Sequence, residues 1–338
     1  MKDNLFIITN ESIYRDQNGD YLCDNIDLKS IPEGLNNFSD VTVVGRNSSK
    51  KRSKKINLER ISASKNIFTY LKVVYKSFQK TNTNYLIISL SPFTFLASIM
   101  LKLFSKKHFL YFRSDGYEEY RAILGFLGPF IYNFMFKIGI KNAHLISCRK
   151  HLLRERKGDI VNPSQLNEKW FQGIKKFNPS NIKLLYIGRL RVEKGIFSLV
   201  SLLRGSKINL TIITSEKGNK LKGEYKNIKH ISFENYNDAI IKIYDEHSIF
   251  ILPSYTEAHP QVLDEALART RPVIVFKDIE HVKRQREGVF VCERNLKSLQ
   301  DTIKYINNNY ELIVSKIKKN KLPTKILFIN ELKKIILN

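Results

Sequence analysis

Short apolar runs alternate with longer stretches of helical periodicity from one end of the chain to the other. In the first half the runs are LFIIT (5–9), VTVVG (41–45), YLIIS (85–89), HFLYF (108–112) and HLISC (144–148). In the second half they are KLLYIG (183–188), NLTIIT (209–214), KHISF (229–233), SIFILP (248–253) and PVIVF (272–276). Helical patterns such as NIFTYLKVVYKSFQK (66–80) follow many of them. Strands alternating with helices predict parallel sheets covered by helices, the α/β class. Two successive sets predict two doubly wound domains, which also suits a chain of 338 residues. The join is expected at 159–181, DIVNPSQLNEKWFQGIKKFNPSN, a polar segment with two prolines that ends before a new apolar strand.

Two stretches are apolar enough to raise the question of a membrane. Residues 85–104 contain one charge, Lys102, and residues 122–140 contain one, Lys137. Either could span a bilayer on length alone. The first divides into a strand and a helix begun by Pro92; the second is broken by Gly125, Gly128 and Pro129. Breakers at these places predict a buried strand and helices in a soluble domain. A peripheral, partly inserted surface remains the alternative, since Lys102, Lys106, Lys107, Lys137 and Lys141 flank the apolar residues.

Charge sharpens this. The chain holds 57 Lys and Arg against 32 Asp and Glu, a formal net charge of +25. The excess is spread over both halves and attracts polyanions: nucleic acid, anionic lipid or phosphorylated substrates. Residues 46–60, RNSSKKRSKKINLER, concentrate it in either a solvated loop or an anion or membrane contact. Cys23, Cys148 and Cys292 are odd in number and far apart. They fit neither a disulfide framework nor a metal site, and point to a reducing cytosol. MKDNLFIITNES reads as a first strand rather than a signal peptide.

Candidate chemistry lies where loops leave the carboxyl ends of strands. GRLRVEKG (188–195) follows KLLYIG: Gly188 permits a sharp turn, Arg189, Arg191 and Lys194 supply three cations, and Gly195 opens a helical run. Cations at a helix N-terminus suit a diphosphate; solvated cations on a plain turn are the alternative. The second loop, PSYTEAHPQVLDEALA (253–268), carries Glu257 in the loop and Glu265 in the following helix, with Pro260 as the expected first helical residue. Eight helical steps separate two groups by roughly 12 Å. Paired hydrolase carboxylates lie at roughly 5 Å or somewhat more. Carboxylates also accept from vicinal hydroxyls, so one glutamate on a ribose, one on a sugar and cations on a diphosphate describe a nucleotide-sugar. The alternative is a capping Glu257 and a solvated Glu265.

These residues resemble glycosyltransferase family 4. GRLRVEKG is similar to the family's G-R-L-x-x-x-K-G loop, and EAHPQVLDE to its E-x7-E signature. ALARTRPVIVF and EGVFVCERNLKSLQDTI resemble the segments that follow, so the likeness is specific over 183–305. The resemblance implies a GT-B fold, two facing Rossmann-like doubly wound domains with an interdomain cleft. Residues 1–162 would be the acceptor-binding domain and 163–324 the nucleotide-sugar donor domain, with 325–338 a helix crossing back to the first. By motif, Arg189 and Lys194 hold the diphosphate, Glu265 accepts from the ribose, and Glu257 meets the donor sugar near its anomeric carbon. Gly188, Gly195, Ala258, His259, Pro260 and Gln261 complete the donor site, and backbone N–H groups after Glu257 touch sugar or phosphate.

The departures are Ala258 and His259 for the usual Gly and Phe, and Thr270 for a usual Gly. ITNESIYRDQNGD stands in place of a Gly-Gly loop, and RSDGYEEY follows HFLYF where a histidine is common. His259 is expected either to bond a polar donor sugar or to be an ordinary loop histidine. Arg113 and Asp115 are the acceptor-side candidates, or else a structural pair. The implied activity is retaining, metal-independent sugar transfer from a UDP- or GDP-sugar, with no cofactor. The acceptor is expected to be a glycan or a lipid-linked glycan of a surface polysaccharide such as capsule, lipopolysaccharide or exopolysaccharide. The expected location is cytoplasmic, peripheral on the inner face of the membrane. A catalytically silent GT-B scaffold and a basic nucleic-acid binder are the alternatives. No basic–aromatic RNA motif appears, so nucleic acid is not the expected partner.

Overall fold

The computed structural model describes residues 2–176, 182–214, 226–232 and 239–337. It divides into two compact units: Met1–Pro163 with Lys325–Asn338, and Ser164–Thr324.

Unit 1 contains β1 (Asn4–Arg15), β2 (Tyr21–Cys23), α1 (Ile26–Leu35), β3 (Asp40–Asn47), β4 (Lys54–Lys55), β5 (Ile61–Ser64), α2 (Ile67–Ser77) and β6 (Thr83–Ile88). It continues through α3 (Pro92–Leu103), β7 (His108–Phe112), α4 (Gly116–Leu124), α5 (Gly128–Gly139), β8 (Ala143–Ser147) and β9 (Asp159–Ile160). The parallel order is β5-β3-β1-β6-β7-β8-β9; β2 and β4 are antiparallel additions beyond the carboxyl half of β1. All five residues of HFLYF are buried, as expected of a strand covered on both faces. The sheet order reverses direction between β1 and β6.

The apolar stretch 85–104 divides as its breakers predict. Tyr85 to Ile88 lie in β6, and Ser91 caps α3 with Pro92 in its first turn. Thr94, Phe95, Ala97, Ser98 and Leu101 bury one face of that helix. The basic stretch 46–60 is partly neutralised: Arg52 pairs with Asp24 at 2.7 Å, Lys55 with Asp20 at 2.6 Å and Arg60 with Asp40 at 3.0 Å.

Unit 2 contains β10 (Lys183–Ile187), α6 (Ile196–Leu203), β11 (Asn209–Thr214), β12 (Ile228–Ser232), α7 (Ala239–Asp245), β13 (Ile249–Leu252) and α8 (Gln261–Ala268). It ends with β14 (Val273–Phe276), β15 (Val289–Cys292), α9 (Leu296–Asn308) and α10 (Tyr310–Ile317). The last helix of the chain, α11 (Lys325–Ile336), belongs to unit 1. The unit 2 sheet is parallel throughout, in the order β12-β11-β10-β13-β14-β15. This is the Rossmann order, and its reversal falls between β10 and β13. The KHISF strand is Ile228–Ser232; its last expected residue, 233, lies outside the described residues.

The expected join, 159–181, is not one polar linker. Residues 159–160 form β9, and Leu166 and Trp170 are buried in the unit 2 core. Residues 177–181 lie outside the described residues. A buried ion cluster holds the described part in place. Arg269 pairs with Asp245 at 2.7 Å and donates to the carbonyls of Trp170, Gln172 and Gly173. Arg271 donates to the carbonyls of Tyr244, Asp245 and Lys175. Both arginines are almost wholly buried, so each needs these acceptors to offset its desolvation.

Candidate functional site

The two loops singled out by sequence, 188–195 and 253–260, follow β10 and β13 and flank the reversal of the unit 2 sheet. In an open α/β sheet that is where ligands bind.

The first loop is anchored from within. Gly188 N–H donates to the carbonyl of Ile213 at 3.0 Å, and the Tyr186 hydroxyl donates to the carbonyl of Arg189 at 2.9 Å. Leu190 is buried in the core, so its neighbours Arg189 and Arg191 are turned out and exposed. A single 3-10 turn, Val192–Lys194, ends at Gly195 with φ +64°. A Cβ at Gly195 would lie 1.8 Å from the carbonyl oxygen of Pro253. Only glycine permits both that φ and that contact, so the residue clamps the first loop onto the second. Tyr255 N–H completes the clamp by donating to the carbonyl of Glu193 at 3.0 Å.

In the second loop Glu257 is neither solvated nor a helix cap. Its Oε1 meets Lys194 Nζ at 2.6 Å and accepts from the Ser254 hydroxyl at 2.7 Å, with only 10% of the side chain exposed. Lys194 and Glu257 therefore neutralise one another. Arg189 differs: among the described residues no carboxylate pairs with it. Arg294 braces the loop from behind, donating to the carbonyls of Pro253 and Ser254 while paired with Asp278 at 2.7 Å. Its guanidinium lies 4.1 Å from the Tyr255 ring centroid and 4.3 Å from that of Phe276. His281 Nε2 lies 2.9 Å from the Glu257 carbonyl oxygen.

Pro260 is the residue that caps α8 rather than its first helical residue, because its backbone is still extended; Leu263 N–H donates to its carbonyl. The His259 side chain is buried, with 2% exposed, and Nε2 lies 3.3 Å from Asp264 Oδ2. Arg286 pairs with the other oxygen of Asp264 at 2.8 Å. His259 thus packs beside Asp264 with its ring turned away from solvent, and its Nε2 is buried without a hydrogen-bond partner among the described residues. Ala258 and Gln261 are partly buried on either side of His259.

Glu265 is partly buried on α8 and accepts from the Tyr244 hydroxyl at 2.9 Å. Burial pushes its carboxyl up to about 7, with the nearby charge of Asp264 acting in the same direction and the Tyr244 hydrogen bond opposing. A carboxyl in that state is short of hydrogen-bond donors, and a diol would supply them.

Arg113 and Asp115 lie in unit 1 and do not pair with each other. Arg113 reaches Asp27 at 2.9 Å and Glu11 at 3.2 Å. Asp115 caps α4 by accepting from Tyr117 N–H at 2.9 Å, and pairs with Arg154 at 3.2 Å. Arg113 lines a cavity of about 560 Å³ at the carboxyl ends of β1, β6 and β7, where the unit 1 sheet reverses. Tyr244, His281, Arg286 and Arg294 had no signal in local spacing; each reaches the site from a distant segment, whereas Ser254 lies in the same loop, three residues before Glu257.

Residues 168–322 match the family described as glycosyl transferases group 1. An uncharacterised glycosyltransferase from Haemophilus influenzae is 29% identical over 181 residues, covering 49% of this chain. The chain spans about half the length of that curated relative. Among solved structures, HepE from Anabaena in complex with UDP-glucose aligns over 98% of both chains with a TM-score of 0.66 and 11% identity. The lipopolysaccharide outer core galactosyltransferase WaaB in its apo form aligns over 98% of both chains, with a TM-score of 0.64 and 11% identity. At such identity the likeness is one of fold, the GT-B class of two Rossmann-like units.

Proposed function

Because residues 168–322 match the family described as glycosyl transferases group 1, we propose that this protein is a retaining, metal-independent glycosyltransferase that uses a UDP- or GDP-sugar. One observation carries the reading. Two clamped loops at the reversal of the unit 2 sheet bring Arg189, with which no carboxylate pairs among the described residues, the Lys194–Glu257 pair and the buried Glu265 to the same edge. Arg189 offers its guanidinium to the diphosphate. A diphosphate that takes Lys194 as well releases Glu257 to accept from hydroxyls of the donor sugar, so the resting ion pair is exchanged for two contacts with the donor. Glu265 accepts from the ribose.

In the transfer step the acceptor hydroxyl oxygen bonds to the anomeric carbon while the bond from that carbon to the diphosphate breaks. The hydroxyl proton passes to the departing phosphate on the same face, which retains configuration. Arg189 and Lys194 stabilise the charge that gathers on the leaving group. The proposed acceptor is a glycan or lipid-linked glycan of a surface polysaccharide, and the proposed location is the cytoplasmic face of the membrane. That WaaB acts in the lipopolysaccharide outer core supports the acceptor class, and the UDP-glucose held by HepE supports the donor class.

The test is a thermal-shift panel of UDP- and GDP-sugars, followed by turnover of the donor that binds. Removing one such cation costs roughly 3 kcal/mol, about a hundredfold in rate. Arg189→Ala with Lys194→Ala is expected to abolish the nucleotide shift and transfer together. Unchanged affinity and transfer in the double variant would sink the proposal. Binding without turnover across acceptors would leave a silent scaffold instead.

A further inference from the structure

Residues Gly116–Gly139 are long and apolar enough to cross a membrane by length and composition, yet only 28% of the most apolar window is buried. They do not form one straight rod. Tyr132 packs on Tyr117 and Tyr120 with ring centroids 4.9 and 5.3 Å apart. In a continuous helix Tyr117 and Tyr132 would lie about 22 Å apart. The chain turns at Gly125, φ +63°, and a Cβ on Gly128 would lie 2.0 Å from the carbonyl oxygen of Tyr120. α4 and α5 are therefore a tight hairpin. Its inner face, Tyr132, Met135 and Phe136, is buried, with Phe136 against Phe112 of β7.

The outer face is apolar and uncovered. Phe126 is 78% exposed, Ile123 72%, Phe130 70% and Phe134 60%, with Leu124, Leu127 and Ile131 also exposed. From Ala122 to Phe136 no residue is charged. Exposed aromatic residues in such number at one helical tip mark a contact with an apolar phase. Charge distinguishes the partner. Lys137 and Lys141 close the hairpin, Lys102, Lys106 and Lys107 lie at the end of α3 and in the turn after it, and the whole chain carries +25. Exposed phenylalanines on a strongly basic chain match a bilayer whose headgroups are anionic; a second copy of so basic a chain would be repelled.

The hairpin also borders the unit 1 cavity. Ile123 and Leu124 belong both to the exposed tip and to the lining of that cavity, whose floor holds Asn10, Arg46 and Arg113. Asn10 Oδ1 and Arg113 Nε are buried there without a hydrogen-bond partner among the described residues. We infer that the α4–α5 hairpin is a wedge that inserts into an anionic bilayer and sets the mouth of this cavity at the lipid surface. The cavity then takes the polar head of an amphiphile whose hydrocarbon chain stays in the membrane. That this amphiphile is the acceptor rests on the transferase proposal; the insertion of the hairpin does not.

Vesicle sedimentation of the full chain tests the wedge, with phosphatidylcholine vesicles compared against phosphatidylcholine–phosphatidylglycerol mixtures. The wild type is expected to bind the mixed vesicles. Phe126→Ser, Phe130→Ser and Phe134→Ser together are expected to weaken binding at least tenfold, while the thermal shift with a nucleotide-sugar is unchanged. Equal binding by the triple variant, or self-association of the wild type with no vesicle binding, overturns the wedge. Brominated lipids test the cavity mouth. Phe130→Trp and Ile123→Trp are expected to be quenched and Leu312→Trp, in unit 2, is not, over a constant background from the single native Trp170. Quenching at Phe130→Trp but not at Ile123→Trp overturns the placement of the cavity. None of these readouts requires turnover, so loss of the transferase proposal would leave them standing.

Discussion

Glu265 shows how far one side chain can couple acidity to binding. Unfolded, it titrates near 4.5; folded, burial raises that to about 7. The folded state holds the proton longer, so its contribution to stability is fully present below about 4 and is lost as pH rises to about 7. The loss is about 3 kcal/mol at most. Glu265→Gln is expected to match the wild type in denaturant midpoint near pH 4 and to exceed it near pH 8. A ribose diol donating to the ionised carboxylate reverses the trend for the complex. UDP-glucose affinity is expected to rise with pH through about 7 in the wild type, with up to one proton released, and to stay flat in Glu265→Gln. Titration calorimetry in two buffers of different ionisation enthalpy reads both quantities. Parallel pH profiles for the two proteins would show that Glu265 does not meet the nucleotide. The neighbouring Thr270 has φ +56°, the left-handed backbone that a glycine would adopt without strain.

At the scale of elements, the strands were legible because parallel strands buried on both faces are written as unbroken apolar runs. The loops after β10 and β13 were legible because glycine, cations and glutamates stand out against those runs. What joins the elements was not legible. Lys194 and Glu257 are 63 residues apart in the chain, and nothing local says that they pair. Arg113 and Asp115 look like a pair by proximity, yet Glu11 and Asp27 from the start of the chain take the arginine. His259 reads either as a contact to a polar donor sugar or as a loop histidine, and its side chain is buried beside Asp264, which pairs with Arg286. Nothing in ALARTRP announces that Arg269 and Arg271 are the largest of the almost wholly buried side chains of unit 2. They bind the segment 170–175, which precedes β10, to the end of α7 through carbonyls, which carry no sequence signature. Arg269→Met keeps the volume and strips Asp245 of its main counter-charge. Breaking a buried pair on one side costs roughly 3–5 kcal/mol. The variant is expected to lower the unfolding midpoint by that amount, and Arg269→Met with Asp245→Leu to recover part of it. If the double variant is no better than the single one, carbonyl satisfaction rather than charge governs the site.

At the scale of the whole molecule the last helix is the strongest claim on long-range order. α11 places Phe328, Ile329, Leu332 and Ile336 in the unit 1 core beside Leu28, Ile31 and Leu35 of α1 and Leu5 and Ile7 of β1. Glu331 adds a hydrogen bond from the Asn162 N–H at 2.8 Å, next to the point where the chain leaves unit 1. Each of these four apolar side chains contributes about 1.5–3 kcal/mol on burial, roughly 6–12 kcal/mol together as an upper figure. That equals the whole stability of an ordinary domain, about 5–15 kcal/mol. A chain ending at Thr324 would therefore leave the β1–β3 face of unit 1 open to water. Unit 2 has none of these side chains in its core. Hydrogen exchange on such a truncation is expected to show amides of β1, β3 and β6 losing most of their protection, while β10, β13 and β14 keep theirs. The nucleotide-sugar thermal shift, which depends on unit 2, is expected to persist while vesicle binding through the hairpin falls. Protection in β1, β3 and β6 that survived the truncation would mean that α11 covers unit 1 without stabilising it.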